Sequence, residues 1–172
     1  MKKIGLITIC TVLMAGISLS QDLVSIIHGT IKKVDSTTKT IVVKTADGTE
    51  HTIKVMDAAT VQGTKDGFNG LKTGTEVVAR TTGKGADETT TEIGKISKEG
   101  FHSTKGTIEK FDKDTKTIVI KSADGTAKTF ELSGNALADA GKATGAGVTK
   151  GTKVTVYYTE ENGKKVAHYL SQ

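Results

Sequence analysis

The strongest constraint on the fold of this chain is an internal repeat. The phrase KTIVVKTADGT at residues 39–49 returns as KTIVIKSADGT at residues 116–126, which is 77 positions later. At this offset, 15 of the 21 positions from Gly29 to Thr49 are identical. Agreement over such a length predicts two copies of one structural unit.

The repeat also sets the expected domain boundaries. The offset of 77 holds without a gap as far as Thr82 and its counterpart Thr159. We therefore predict one unit at residues 26–97 and a second at residues 103–172, joined by the short segment SKEGFHST (97–104).

Each unit predicts five strands in the same order. The first strand, residues 29–35 or 106–112, has apolar residues three positions apart, which indicates a bulge. The repeated phrase predicts a second strand, because its apolar and polar residues alternate, and its Asp-Gly pair predicts a tight turn into a third strand. The fourth and fifth strands are predicted near residues 75–80 and 90–97, and again near 152–158 and 164–171.

A short helix is expected between the third and fourth strands of each unit. GNALADAGKA (134–143) has helical character with Asn135 as its cap, and MDAATVQG (56–63) is the weaker counterpart with Asp57 as its cap. The chain is thus predicted to be all-β with one short helix per unit, forming two tandem five-stranded OB-like barrels. SH3-like small barrels are the alternative.

The first twenty residues, MKKIGLITICTVLMAGISLS, have the character of a signal peptide. Two lysines precede an uncharged apolar stretch, and small residues lead to a predicted cleavage site between Ser20 and Gln21. An uncleaved anchor is the alternative, but the stretch is short for a membrane span. Cleavage would remove Cys10, the only cysteine, and leave a periplasmic or secreted chain without a membrane span.

Charge narrows the expected partners only slightly. The whole chain carries a net charge of +5, and +3 remains when the lysines of the signal peptide are removed. The charges are interspersed, and an exported protein would rarely meet nucleic acid, so no nucleic-acid partner is expected. A protein or glycan of the cell envelope is the expected partner.

The residues also resemble known exported domains. The skeleton G-T-I-x-K-[VF]-D, then K-T-I-V-[VI]-K, then a late G-T-x-V, is similar to an uncharacterised family of OB-like domains found in tandem in exported bacterial proteins. It is distantly similar to the small periplasmic OB barrels that act as copper/silver-efflux metallochaperones. The resemblance covers nearly all of both units and implies the fold more strongly than any function.

The metallochaperone resemblance implies a ligand set that this chain mostly lacks. That family uses a histidine after the second strand, a nearby tryptophan and an M-x-M pair on the third strand, which suit soft monovalent ions. Here the matching third-strand positions are Thr49 and His51, and Thr126 and Lys128, and the chain has no tryptophan. His51 is therefore the only weak metal candidate, and no metal or other cofactor is expected.

No enzyme is predicted, because nucleophile motifs and phosphate-binding loops are missing from the sequence, and the paired carboxylates Glu160 and Glu161 would point to opposite faces of a strand. Tyr157 is expected to point out of the second barrel, and its counterpart in the first unit is Arg80, which makes both candidate ligand-binding residues. The predicted function is a non-catalytic exported binding or interaction module. An extracytoplasmic metal-binding, metallochaperone-like protein is the alternative.

Overall fold

The computed structural model describes residues 24–142 and 149–172, so the predicted signal peptide and Cys10 lie outside the described residues. The described chain forms two closed five-stranded β-barrels in tandem, which confirms the predicted fold class. Barrel 1 contains β1 (Val24–Asp35), β2 (Thr40–Thr45), β3 (Glu50–Gln62), β4 (Glu76–Thr82) and β5 (Thr89–Lys95). Barrel 2 contains β6 (His102–Asp112), β7 (Thr117–Lys121), β8 (Ala127–Leu132), α1 (Gly134–Lys142), β9 (Lys153–Glu161) and β10 (Lys164–Ser171).

Both barrels have the same strand order. The first strand of each barrel pairs with the second strand on one side and with the fourth on the other. The third strand pairs in parallel with the fifth, and the fifth pairs with the fourth to close the barrel. This is the arrangement of an OB-like barrel rather than of the SH3-like alternative.

The predicted bulge in the first strand is confirmed in both barrels. The pairing register shifts between Ile31 and Lys33 in β1 and between Ile108 and Lys110 in β6. An extra residue on one strand increases its local twist, so a single long strand can curve between two neighbours. Ile31 and Ile108 are both buried. The bulge explains why the next apolar residue of each strand comes three positions later instead of two.

The repeated phrase forms the second strand and its turn, as predicted. Gly48 and Gly125 have φ angles of 91° and 84°, which supply the left-handed conformation that the tight turn requires. Asp47 and Asp124 accept hydrogen bonds from the backbone N–H groups of Thr49 and Thr126 at 3.0 and 2.8 Å. These hydrogen bonds help to lower the pKa of both carboxyl groups, because they stabilise the ionised form.

Each barrel encloses its own apolar core. The inward residues of the repeated phrase, Ile41 and Val43 in barrel 1 and Ile118 and Ile120 in barrel 2, are fully buried. Barrel 2 additionally buries Tyr158 in its core, as the alternation of β9 predicts. The two cores are separate clusters of buried side chains, so the fold is a true duplication rather than one barrel split in two.

The prediction of a helix in both units is correct for barrel 2 and wrong for barrel 1. Residues 56–62 continue β3 instead, and Thr60, Val61 and Gln62 pair in parallel with β5. Two of these residues are β-branched, which suits a pleated strand. Pairing with β5 therefore stabilises the extended conformation more than the weak helical pattern favours a helix. A 3-10 turn at Gly67–Gly70 follows, and it places Phe68 against the core of barrel 1.

Helix α1 packs across barrel 2 but begins differently from the prediction. Ser133, not Asn135, accepts a hydrogen bond from the backbone N–H of Ala136, at 3.2 Å. Ala136 and Ala140 are fully buried against the barrel. Asn135 instead donates to Oε2 of Glu92 in barrel 1, at 2.9 Å, and so contributes a polar contact between the barrels.

A third apolar cluster joins the two barrels. We call it the interface core and define it by its buried members Val78, Phe101, Tyr157 and Tyr169. Phe101 lies in the segment expected to be a simple linker, yet it is fully buried and stacks on Tyr169 with ring centroids 5.5 Å apart. The backbone N–H of Phe101 donates to the carbonyl oxygen of Lys95 at 2.9 Å, which holds the linker against β5.

The histidine beside the interface core makes the stability of the protein sensitive to acid. The His168 ring lies 4.9 Å from the ring of Phe101, and its Nε2 is 2.9 Å from Oγ1 of Thr159. Burial lowers the pKa of His168 below its usual 6.5, although the charges of Glu92 and Glu161 act in the opposite direction. The unfolded chain therefore takes up a proton at a higher pH than the folded chain does.

We expect the free energy of unfolding contributed by His168 to be complete above about pH 6.5 and to fall as the pH drops from there towards the lowered pKa of the folded state. Urea denaturation across this range measures it, with His168→Gln as the matched control because glutamine retains a polar partner for Thr159. The wild-type midpoint should fall more steeply with acid than that of the variant. Parallel pH profiles of the two proteins would contradict this assignment.

Candidate functional site

Tyr157 is not available to a ligand, which corrects the sequence-based assignment. It does point out of barrel 2, but barrel 1 covers it and only 4% of the residue is exposed. Its ring meets that of His28 edge-on, with centroids 5.2 Å apart. Burial, assisted by the charge of Glu76, raises the pKa of Tyr157 to about 12. The residue packs between the barrels and offers no free face for stacking.

Arg80, the counterpart of Tyr157, lies half-buried on β4. Its register partners are Ile26 on β1 and Glu92 on β5. Ile26 packs against the interface core, so Arg80 lies near the junction of the barrels. A role for Arg80 in ligand binding stays a prediction.

His51 lies in a cavity of about 620 Å³ on barrel 1. Its Nδ1 is 3.0 Å from Oε2 of Glu88, whose side chain is only 8% exposed. This neighbour is one that sequence reasoning did not identify. Across residues 24–142 and 149–172, no three histidine, cysteine or carboxylate side chains converge as a metal site would require. His51 therefore has one carboxylate neighbour and no built ligand set.

The duplication also repeats a surface groove. Groove 1, of about 280 Å³, lies on barrel 1, and groove 2, of about 450 Å³, lies on barrel 2. Each lies where the first strand of its barrel runs between the second and fourth strands. Most residues that line groove 1 correspond to residues of groove 2 at the offset of 77. A common position in both copies makes the groove part of the repeated unit.

A glycine of the first strand lines each groove. A Cβ atom at Gly106 would lie 2.5 Å from the carbonyl oxygen of Lys121 and 2.6 Å from Cγ2 of Ile120. Gly29 likewise has no room for a side chain beside Lys44 in barrel 1. The second strand can approach this closely only because the first strand has no side chain there.

Two residues that line groove 1 form an ion pair with each other. Nε2 of His28 on β1 lies 2.7 Å from Oε1 of Glu76 at the start of β4. Lys32 and Lys44 are the other charged residues that line groove 1, and Thr30 lies between Glu76 and Lys44 in the strand registers. The groove thus contains both signs of charge, and a carboxylate already has a partner there.

Groove 2 is formed by the corresponding strands of barrel 2, but its described charged side chains are all positive. The positions of His28, Lys44 and Glu76 are taken by Lys105, Lys121 and Lys153, and all three lysines are exposed. Among the described residues, none of these lysines takes part in an ion pair. No aspartate or glutamate side chain lines the described part of this groove.

The strand registers bring these lysines together. Thr107 on β6 is opposite Lys121 on β7 and Lys153 on β9, so the two lysines begin about 10 Å apart across three strands. Lys105 is two residues from Thr107 on the same face of β6, about 7 Å away. Three flexible four-carbon stems at these positions can direct their ammonium groups to one bound group.

One hydroxyl group that is hydrogen-bonded in groove 1 has a counterpart in groove 2 without a hydrogen-bond partner among the described residues. Thr45 in barrel 1 donates to Asp47 and to the carbonyl oxygen of Thr49. Its counterpart Ser122 has a buried Oγ without a hydrogen-bond partner in the described chain. Buried polar atoms usually have partners, so the buried Oγ of Ser122 is an exception within the described chain.

Comparison with other proteins does not identify a family for this chain. No protein-family model and no curated protein matches the chain. None of the helical segments in the described residues has the length and hydrophobicity that a membrane span requires.

Proposed function

We propose that the chain is a non-catalytic exported binding module and that groove 2 is its ligand-binding element. One observation carries the proposal: the same groove is built twice around a glycine that has no room for a side chain, and, in the part of the chain that the structure describes, only in the first copy do two lining residues pair with each other. His28 and Glu76 form an ion pair in groove 1, whereas the three lysines of groove 2 take part in no ion pair among the described residues. The resemblance to tandem OB-like domains of exported proteins and the predicted signal peptide support an extracytoplasmic location.

Export and binding are tested together in the native host. We expect the protein recovered outside the cytoplasm to begin at Gln21 and to sediment with isolated cell envelopes. Ala123 lies exposed in the turn that borders groove 2. Ala123→Trp should fill the groove without changing its charge and should reduce the bound fraction at least several-fold.

The matched control is Ala46→Trp, which places the same side chain at the corresponding position of groove 1. We expect it to leave envelope binding unchanged. Equal binding of the wild-type protein and Ala123→Trp would refute groove 2 as the binding element. Chemical conversion of the recovered ligand by the purified protein would refute the non-catalytic assignment.

A further inference from the structure

Resting on the proposed function, we infer that groove 2 binds the oxyanion of a charged sugar unit, that is, a sugar bearing a phosphate or a carboxylate group. The lysines Lys105, Lys121 and Lys153 would hold the oxyanion. The hydroxyl groups of Thr107 and Thr155 would bind sugar hydroxyls. The inference follows from the charges, the hydrogen-bonding groups and the shape of the groove.

The charges indicate an anion. The three lysines begin about 7–10 Å apart, and exposed like charges within about one Debye length repel one another. In barrel 1 the same three positions contain a histidine, a lysine and a glutamate, so the barrel does not need three cations to fold. The cationic set of barrel 2 therefore brings a folding cost that a bound anion would relieve.

The walls of groove 2 indicate a sugar rather than a flat ring. The described residues that line it include hydroxyl side chains and lysine stems but no aromatic side chain. Nucleobases and other flat ligands are commonly held by stacking on aromatic rings, which groove 2 does not offer. A volume of about 450 Å³ has room for one sugar unit with its charged group.

The location of groove 2 also allows the charged sugar to be one unit of a polymer. Groove 2 lies on the outer face of β6, β7 and β9 and is open to solvent at its rim, where Lys105, Lys121 and Lys153 are exposed. An open groove can accept an internal unit of a longer chain as well as a free sugar. The shared chemistry is the oxyanion, and the two possible oxyanions are distinguished by the probes below.

The test is an NMR titration of the exported chain with four probes: glucose 1-phosphate, glucuronate, inorganic phosphate and glucose. We expect at least one charged sugar to shift the backbone amides of Thr107, Ser122 and Thr155, and glucose to shift none of them. Response to glucose 1-phosphate alone identifies a phosphate, and response to glucuronate alone identifies a carboxylate. Inorganic phosphate should bind more weakly than the preferred sugar, because it lacks the sugar hydroxyls.

Variants then assign the binding to the lysines. Lys121→Gln should raise the Kd for the charged sugar about tenfold, the loss expected for one charge-assisted hydrogen bond. Lys153→Glu installs the residue found in groove 1 and should abolish binding. Lys44→Gln, the matched control in groove 1, should leave the Kd unchanged. All three side chains are exposed, and unchanged circular dichroism and urea midpoints verify that the variants fold.

Salt provides an independent readout. Raising NaCl from about 50 mM to about 300 mM should weaken binding several-fold, because exposed charges are screened over a shorter distance. Without ligand, Lys153→Gln should be slightly more stable than wild type, because it removes repulsion near Lys121. Equal affinity for glucose, no dependence on salt, or equal effects of Lys44→Gln and Lys121→Gln would each overturn the inference.

These outcomes are separable from those of the proposed function. If Ala123→Trp abolishes envelope binding while Lys121→Gln and Lys153→Glu retain it, groove 2 is a binding element for another chemistry and the oxyanion inference is refuted. If charged sugars bind groove 2 while Ala123→Trp leaves envelope binding intact, the oxyanion inference holds and the envelope function is refuted.

Discussion

Replacing Phe101 by alanine is expected to lower the free energy of unfolding by about 3–5 kcal/mol, the range measured for removal of a buried aromatic side chain. Phe101 is fully buried and stacks on Tyr169, and a Cβ at Gly94 would lie 2.5 Å from its ring. The neighbouring barrels are closed structures and cannot collapse into the space that the ring leaves. Urea denaturation followed by circular dichroism measures the change.

Two further variants separate the packing role of Phe101 from other effects. Met56→Ala removes a side chain of a residue that is 44% exposed, so its effect should stay within about 0.5 kcal/mol. Phe101→Leu should recover part of the lost stability, because it refills some of the cavity. If Phe101→Ala is no more harmful than Met56→Ala, the two barrels do not depend on the interface core.

Adding a single methyl group at Gly106 should also be strongly destabilising. The added Cβ of Gly106→Ala would meet the backbone carbonyl oxygen of Lys121 at 2.5 Å, and a backbone atom cannot rotate away. We expect a loss of about 1–3 kcal/mol, the range for overpacking a tightly packed site. The urea midpoint of the variant measures it.

The control for this substitution is Gly134→Ala at the start of α1. A Cβ there has no neighbour within 4 Å, and alanine favours a helix more than glycine does. We expect this variant to be as stable as wild type or slightly more stable. Equal midpoints for Gly106→Ala and wild type would show that β6 and β7 can separate without loss, and the groove would then not depend on the glycine.

The two barrels share their scaffold residues and differ in the charge of their grooves. The positions that build the barrel, such as Gly29 and Gly106, are the same in both copies. The positions that line the groove changed charge, from Glu76 in barrel 1 to Lys153 in barrel 2. The two copies therefore share the residues that build the barrel and differ in charge at the groove.

Local patterns in the sequence were sufficient for the barrel itself. Alternation in the repeated phrase, the Asp-Gly turn and the spacing of Ile31 and Val34 predicted the second strand, its hairpin and the bulge in the first strand, and the structure confirms all three. These features are decided within a few residues of the chain. The helix predicted at residues 56–63 failed because a distant partner, β5, pairs with that segment.

Tyr157 and the lysines of groove 2 depended on contacts between distant segments. The alternation of β9 correctly placed Tyr157 outside its own barrel, but only the docking of barrel 1 decides that it is buried. The charge differences at Lys105, Lys121 and Lys153 are visible in the aligned repeat. Their convergence is not, because it requires β6 to lie between β7 and β9.

By itself, then, the sequence determined two copies of a five-stranded barrel and the turns that build it, because strand alternation and turn chemistry are local. The tertiary structure decided which polar side chains meet, which aromatic residues are covered and which groove is left open. These depend on strand order and on the packing of one barrel against the other. The phrase KTIV[VI]K is thus a scaffold strand, and the lysine that ends it in the second copy lines the groove where we propose that the ligand binds.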